Sequence, residues 1–251
     1  MKKLCVLLIA VLLITTLFGC SSPNPDNGGA SQNGQNKTTP IALVDDPYVS
    51  LLLNKNMKEK AFEGKEFDYT VKTDKSDSKK GYVVITAFKG GGGLVVIPDK
   101  LEGYPVVVVY NSVFTGRSDV VDIIFPDTIR EIVFDDYAEV ENKQIFGDTQ
   151  WFQGLPDGFC NAGKVAIGYK GQMPENTVYE VRDGVVSIAN RAFCSSRFKN
   201  ITNVVFPDTV RYISPFAFYG TSMTEVLVQE HWQEYMDAFP RGVDLVLPGT
   251  L

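Results

Sequence analysis

Histidine is almost missing from this chain of 251 residues, with His231 the single copy, and only four cysteines accompany it. A hydrolytic triad needs an imidazole base held by a third group beside a nucleophile, and no serine or cysteine motif flanks His231. Zinc needs several His or Cys ligands at fixed spacing, which the set does not provide, so the reading carries no metal and no cofactor. Basic residues are also in deficit, 24 against 30 acids, for a net charge of −6. A chain of that sign lacks the Lys and Arg surplus on which phosphate recognition rests, which excludes nucleic acid as a partner. Paired acids occur at Asp45-Asp46 and Asp135-Asp136, but adjacent positions on a strand face opposite ways, and acids in loops are ordinarily solvated. The chain is therefore read as no enzyme, with no catalytic residue assigned.

The longest apolar stretch, Leu4 to Phe18, follows Lys2 and Lys3 and ends at Leu17-Phe-Gly-Cys20. It falls short of the ~20 residues of a spanning helix, so residues 1–19 read as an export signal. The segment resembles a bacterial lipoprotein signal, and the resemblance implies cleavage before Cys20, diacylation of its thiol and a protein held on a membrane by lipid. Two acyl chains suffice for stable anchoring at about 0.8 kcal/mol per buried CH₂. With Cys5 removed and Cys20 lipidated, Cys160 and Cys194 remain, and they make no disulfide framework by themselves; whether they pair is open. Cys194 follows Ala192-Phe193 and reads as a buried, inert thiol.

Residues 20–40 are Ser, Asn, Gly, Gln, Thr and Pro with few apolar side chains, the composition of a disordered tether. Asp46-Pro47 then reads as a helix start, and Val49, Leu52, Leu53 and Met57 hold helical spacing up to Gly64. Phe67–Val71 and Tyr82–Thr86 alternate around a charged loop and predict a hairpin. Residues 41–90 are thus expected to form an N-terminal cap of helix plus hairpin. The Gly90–Gly93 run has neither a following Gly-Lys-Ser/Thr nor a helix, so it reads as a turn and not as a phosphate loop.

The central observation is a repeated phrase. Phe125-Pro-Asp-Thr-Ile-Arg-Glu-Ile132 returns as Phe206-Pro-Asp-Thr-Val-Arg-Tyr-Ile213, and a weaker copy ends at Ile97-Pro98-Asp99. A phrase repeated with its apolar spacing intact marks stacked units, none of which buries its hydrophobic edge alone. In each unit a strand alternates inward and outward, proline ends it, Asp-Thr turns the chain, and two further apolar positions point back in. Phe216, Ala217 and Phe218 are expected to fill the space between coils. With Ala192-Phe193 and Ala217-Phe218 as packing pairs, the pattern resembles the BspA-like leucine-rich repeats of bacterial surface proteins. That resemblance implies a mainly β repeat solenoid of stacked coils with short capping helices at its N- and C-terminal ends. It also implies attachment to a protein on a host or neighbouring cell. The solenoid is read over residues 91–228, with an insertion at about 144–176, and a C-terminal cap of helix and final strand over 229–251, with Trp232, Tyr235, Met236 and Phe239 on the helix's inner face.

Stacking in register lines up the outward strand positions as a ladder: Leu94 and Val96, Asp122 and Ile124, Val178 and Glu180, Asn203 and Val205, Glu225 and Leu227. These are the candidate partner-binding residues, although β-branched residues are also favoured on any exposed strand. Two other readings stand beside the binding module. One is a glycan-handling surface protein, a binding accessory or a carboxylate-dependent hydrolase, resting on Trp151 and Tyr169 as exposed sugar-stacking aromatics. The other is a structural envelope component.

Overall fold

The structure is a computed structural model that describes residues 46–135, 143–229 and 237–247. The signal segment, Cys20, the tether, His231, Trp232, Tyr235 and Met236 lie outside the described residues.

The chain starts with helix α1, Pro47–Leu53, capped by Asp46, whose carboxylate accepts from the Tyr48 and Val49 amides with proline in the first turn. The helix is shorter than its apolar spacing predicts. Asn54 is extended and its side chain donates to Asp74 Oδ2 at 2.6 Å, and Met57–Glu63 becomes strand β1. β1 runs antiparallel to β2, Phe67–Asp74, with Phe62 stacked on Tyr69 at 5.3 Å. Pairing with β2 overrides the helical spacing, and the exposed Lys58, Glu59, Lys60 and Glu63 keep this outer strand from recruiting another. The expected hairpin follows as β2 with β3, Gly81–Phe88.

From β3 onward the pairing turns parallel and two ladders develop. The first comprises β4, Gly93–Val96, and, beyond the short β5, Lys100–Leu101, and β6, Tyr104–Tyr110, strand β7, Val120–Ile124. The second runs from β3 through β6 to β8, Glu131–Val133. The segment expected to be an insertion forms helix α2, Gln150–Gly154, and the hairpin of β9, Gly158–Ala162, with β10, Val165–Lys170. The first ladder resumes with β11, Thr177–Glu180, and the second with β12, Ser187–Ile188, which pairs with β10. Strand β13, Ile201–Val205, pairs with β11, and β14, Tyr212–Ile213, pairs with β12. Strand β15, Glu225–Leu227, pairs in parallel with β16, Asp244–Val246. The parallel coils therefore extend to Val246, past the limit of 228 drawn from the repeats.

The core lies between the ladders, with Val95, Ile123, Tyr179, Val204 and Val226 facing Val109, Ile132, Ile188 and Ile213. The repeated phrase folds identically in both copies. Ile129 and Val210 donate to Pro126 and Pro207, and the Thr128 and Thr209 hydroxyls reach back to the carbonyls of Val106 and Val185. The following amides, Arg130 and Arg211, bond Val107 and Val186 of the preceding coil at 2.9 and 2.7 Å. Phe125 and Phe206 are both half-buried, each 5.9 Å from a buried phenylalanine, Phe125 stacked on Phe146 and Phe206 edge-on to Phe218.

A column of phenylalanines runs through the C-terminal coils. Phe193, Phe218 and Phe239 stack at 5.3 and 5.6 Å with nearly parallel rings, each buried. Their backbones are linked as well, since Phe193 N–H donates to Ala217 O at 2.6 Å and Phe218 N–H to Ala238 O at 2.7 Å. Ala238-Phe239 is therefore a third packing pair of the repeat. The residue before each of the first two pairs, Arg191 and Phe216, sits in the left-handed region at φ 57° and 59°. That conformation costs on the order of 1–2 kcal/mol for a residue with a Cβ. It points the Arg191 and Phe216 amides at Pro215 and Asp237 of the next coil, which offsets the cost. Phe216 itself is only half-buried, with its ring under the Arg191 guanidinium at 4.6 Å, so Ala217 and Phe218 alone fill the space between coils.

Two irregular places also resolve. Where Ala-Phe is missing after Ile132, Phe134 supplies the buried ring. The extra residues near Arg197 form a short turn whose Phe198 packs on Phe193 at 5.3 Å. The Gly90–Gly93 run is a turn into β4. An added Cβ on Gly92 would sit 2.3 Å from Asp119 O, and Gly93 takes φ 81°.

Candidate partner-binding face

The outward positions of the first ladder are exposed. Leu94, Val96, Ile124, Val178, Val205 and Leu227 are all near half exposure, and Asp122, Glu180, Asn203 and Glu225 are exposed beside them. Val121, absent from the sequence expectation, joins them at 54%. It is brought out by a bulge: Gly93 pairs with Val120 but Leu94 pairs with Asp122, so Val121 is the extra residue. The same shift recurs between β11 and β13, where Thr202 is extra. In both bulges a polar side chain, Asp122 or Asn203, accepts from the amide that follows it, at 2.8 and 2.7 Å. The doubled valine before Asp122 was the available signal, since strict alternation cannot keep Val120 and Ile123 both inside without an extra residue.

Of the eight large hydrophobic side chains exposed among the described residues, seven lie on this face, and the eighth is Tyr219. Scattered exposed apolars are ordinary, but alignment of nearly all of them on one sheet face is not. Rows form across strands: Leu94 beside Asp122, Val96 beside Ile124, Glu180 beside Val205, Glu225 beside Asp244. The ladder consists of three hydrogen-bonded pairs, β4 with β7, β11 with β13 and β15 with β16, and not one elongated sheet; α2 packs against β7 and separates the first pair, an N-terminal block, from the other two, a C-terminal block.

The glycan reading loses its footing in the structure. Trp151 is half-buried, with its ring 5.3 Å from Phe125 and 6.2 Å from Phe146, and Tyr169 lies edge-on to Phe159 at 5.0 Å. Both aromatics are occupied in packing. On the ladder strands the one aromatic, Tyr179, is 1% exposed. A cleft of about 400 Å³ does open beside α2, but its polar groups are largely engaged by the fold. Asn111 Oδ1 accepts from Phe146 N, Gln144 Nε2 donates to Tyr169 O, and Lys170 Nζ donates to the Gln153 and Leu155 carbonyls. Two carboxylates, Asp148 and Asp157, line it, both solvent-exposed, and Asp148 accepts from the Gly116 amide at 2.7 Å. Neither has the apolar surroundings that make a carboxyl a general acid. No disulfide joins Cys160 to Cys194, and burial pushes the Cys160 thiol above its usual range, away from the thiolate form. Among the described residues no group of three or more His, Cys, Asp or Glu is placed to hold a metal ion.

On the second ladder one carboxylate is out of place energetically. Burial pushes Glu131 above the usual carboxylate range, opposed by the Tyr212 hydroxyl, which donates to Oε1 at 3.3 Å, and by the charge of Lys72. A carboxyl with a raised folded-state value contributes stability below its unfolded value, and that contribution is lost as pH rises through the folded one. Glu131→Gln is therefore expected to match the parent near pH 4 and to exceed its thermal midpoint at neutral pH, by about 2–4 °C per kcal/mol recovered. A midpoint difference that stays constant between those two pH values would contradict this origin.

Parallel coils with a repeated turn, an internal phenylalanine column and one exposed strand face define a leucine-rich-repeat solenoid. Residues 175–239 match the model of the BspA type leucine rich repeat region, a span that ends on the third packing pair. A solved structure, the leucine rich repeat protein of T. pallidum, aligns over 75% of this chain and 84% of that one at 20% identity, with a TM-score of 0.28. No curated protein matches the chain. Repeats of this class point to a protein-interaction module, typically non-enzymatic, in proteins that are generally surface-exposed or secreted. No described helix is long and apolar enough to cross a membrane.

Proposed function

We propose that the chain is a lipid-anchored bacterial cell-surface protein whose first-ladder face captures a protein on a host or neighbouring cell, without catalysis. The observation that carries the reading is the collection of seven exposed apolar side chains on the outward side of the first-ladder strands. Anchoring rests on the Leu17-Phe-Gly-Cys20 segment and on the polar composition of the stretch that follows it.

Two measurements test it. Metabolic labelling with a fatty acid should mark the parent chain, and Cys20→Ser should lose the label and leave the membrane fraction. Full-length protein, immobilised and offered a panel of extracellular-matrix proteins and a glycan array, should retain protein and ignore sugars. The pair Asp122→Lys with Glu225→Lys should weaken that capture while leaving the circular dichroism spectrum unchanged. Retention of sugars alone, or capture indifferent to the pair, would exclude the face as the binding surface.

A further inference from the structure

The proposed reading leaves open what kind of surface the face accepts, and its charge narrows the choice. The six strands of the first ladder, β4, β7, β11, β13, β15 and β16, carry four acids, Asp122, Glu180, Glu225 and Asp244, and not one lysine or arginine. All four are exposed. The acids are spaced along the ladder between apolar positions, with Asp122 in register with Leu94 and Glu180 in register with Val205. Three of them belong to the C-terminal block, whereas four of the exposed apolar side chains, Leu94, Val96, Val121 and Ile124, belong to the N-terminal block.

This pattern excludes several occupants in turn. A second copy of the same face would set acid against acid and bury no compensating base, which costs free energy at any close interface. Anionic lipid headgroups and nucleic acid meet the same repulsion. Sugars find no exposed aromatic ring on these strands. What remains is a polypeptide surface of opposite sign with apolar side chains of its own. Burial of the valine, leucine and isoleucine side chains supplies the affinity, and the four acids set orientation and select partners by charge.

Building on the protein-capture reading, we infer that the first-ladder face is a receptor for a cationic, apolar polypeptide segment, lysine- or arginine-bearing and aliphatic. The N-terminal block takes the aliphatic part and the C-terminal block the basic part.

The test uses the full-length chain in a non-ionic detergent and a labelled synthetic peptide of alternating leucine and lysine, read by fluorescence anisotropy. Two companion peptides replace lysine by glutamate or leucine by serine. The leucine–lysine peptide should bind, both companions should fail, and raising salt to about 0.5 M should weaken binding because the exposed charges are screened. Glu180→Lys with Glu225→Lys should cut affinity about tenfold or more. Glu63→Lys with Glu66→Lys, an equal charge change on exposed residues away from the ladder, should leave it unchanged. Equal loss in both pairs would reduce the effect to net charge and overturn the inference. Equal binding of the leucine–glutamate peptide, or no binding of any peptide, would overturn it too. In each of those cases the matrix-protein capture experiment still decides separately whether the face binds protein.

Discussion

Replacing Phe218 by alanine is expected to cost about 3–5 kcal/mol, the range for emptying a fully buried aromatic site. The ring is 0% exposed and stands between Phe193 at 5.3 Å and Phe239 at 5.6 Å, with Phe206 edge-on at 5.9 Å. Its removal breaks the column at its middle, and the neighbouring coils cannot close the gap, because the Phe193–Ala217 and Phe218–Ala238 backbone bonds fix their separation. A stack whose units contact only their neighbours should lose stability locally. Amide hydrogen exchange should therefore show protection collapsing around Phe193–Leu247 while Phe67–Ile85 in the N-terminal sheet stays protected. Tyr219→Ala, on an exposed side chain next door, should change stability by under about 1 kcal/mol. Protection lost evenly along the whole chain would mean that the coils unfold as one block and that the column is not the local joint described here.

The repeat was legible because its signal is doubly redundant. The phrase at Phe125 and Phe206 fixes spacing, turn chemistry and inward positions together, and each copy checks the other. The outward ladder followed from strand alternation alone, and every one of its ten named positions is exposed. What failed to read was whatever depends on a partner distant in sequence. Met57–Glu63 carries a helical spacing and becomes a strand because β2 offers it a hydrogen-bonding edge, which no local pattern announces. Ala238-Phe239 is written in the same two letters as the other packing pairs, yet it sits in a stretch of helical composition, and the local pattern masked the repeat. Helix α1 likewise takes a different place from that of a lid on the end of the stack. It covers the outer side of the second ladder, where Tyr48, Leu51 and Leu52 pack on Tyr82, Val84, Val107 and Val108, while β1 and β2 close the sheet edge.

That placement of α1 depends on one buried ion pair, and its disruption is the second large expected effect. Arg130 is the arginine of the repeated phrase, and in both copies that arginine folds back on its own turn: Arg130 Nη1 donates to Asp127 and Ile129 carbonyls, as Arg211 Nη1 does to Asp208 and Val210. The first copy adds a partner 84 positions away, since Arg130 Nε donates to Asp46 Oδ2 at 2.8 Å with both side chains about nine-tenths buried, and its guanidinium lies over Tyr48 at 4.9 Å. Asp46 thus does two jobs, capping α1 through Oδ1 and holding the solenoid through Oδ2. Asp46→Ala removes both and strands a buried guanidinium, for an expected loss of about 3–5 kcal/mol. Asp46→Asn keeps an oxygen for the cap and gives up the charge, so it should lose less, by about the 1 kcal/mol typical of a cap. Arg130→Met fills the volume without the charge, and combined with Asp46→Asn it should cost less than the two single changes added together, by about 0.5–3 kcal/mol. Strict additivity in urea unfolding of the three variants would show that the pair does not couple α1 to the repeats, and would leave the apolar contacts of Tyr48, Leu51 and Leu52 to hold the helix unaided.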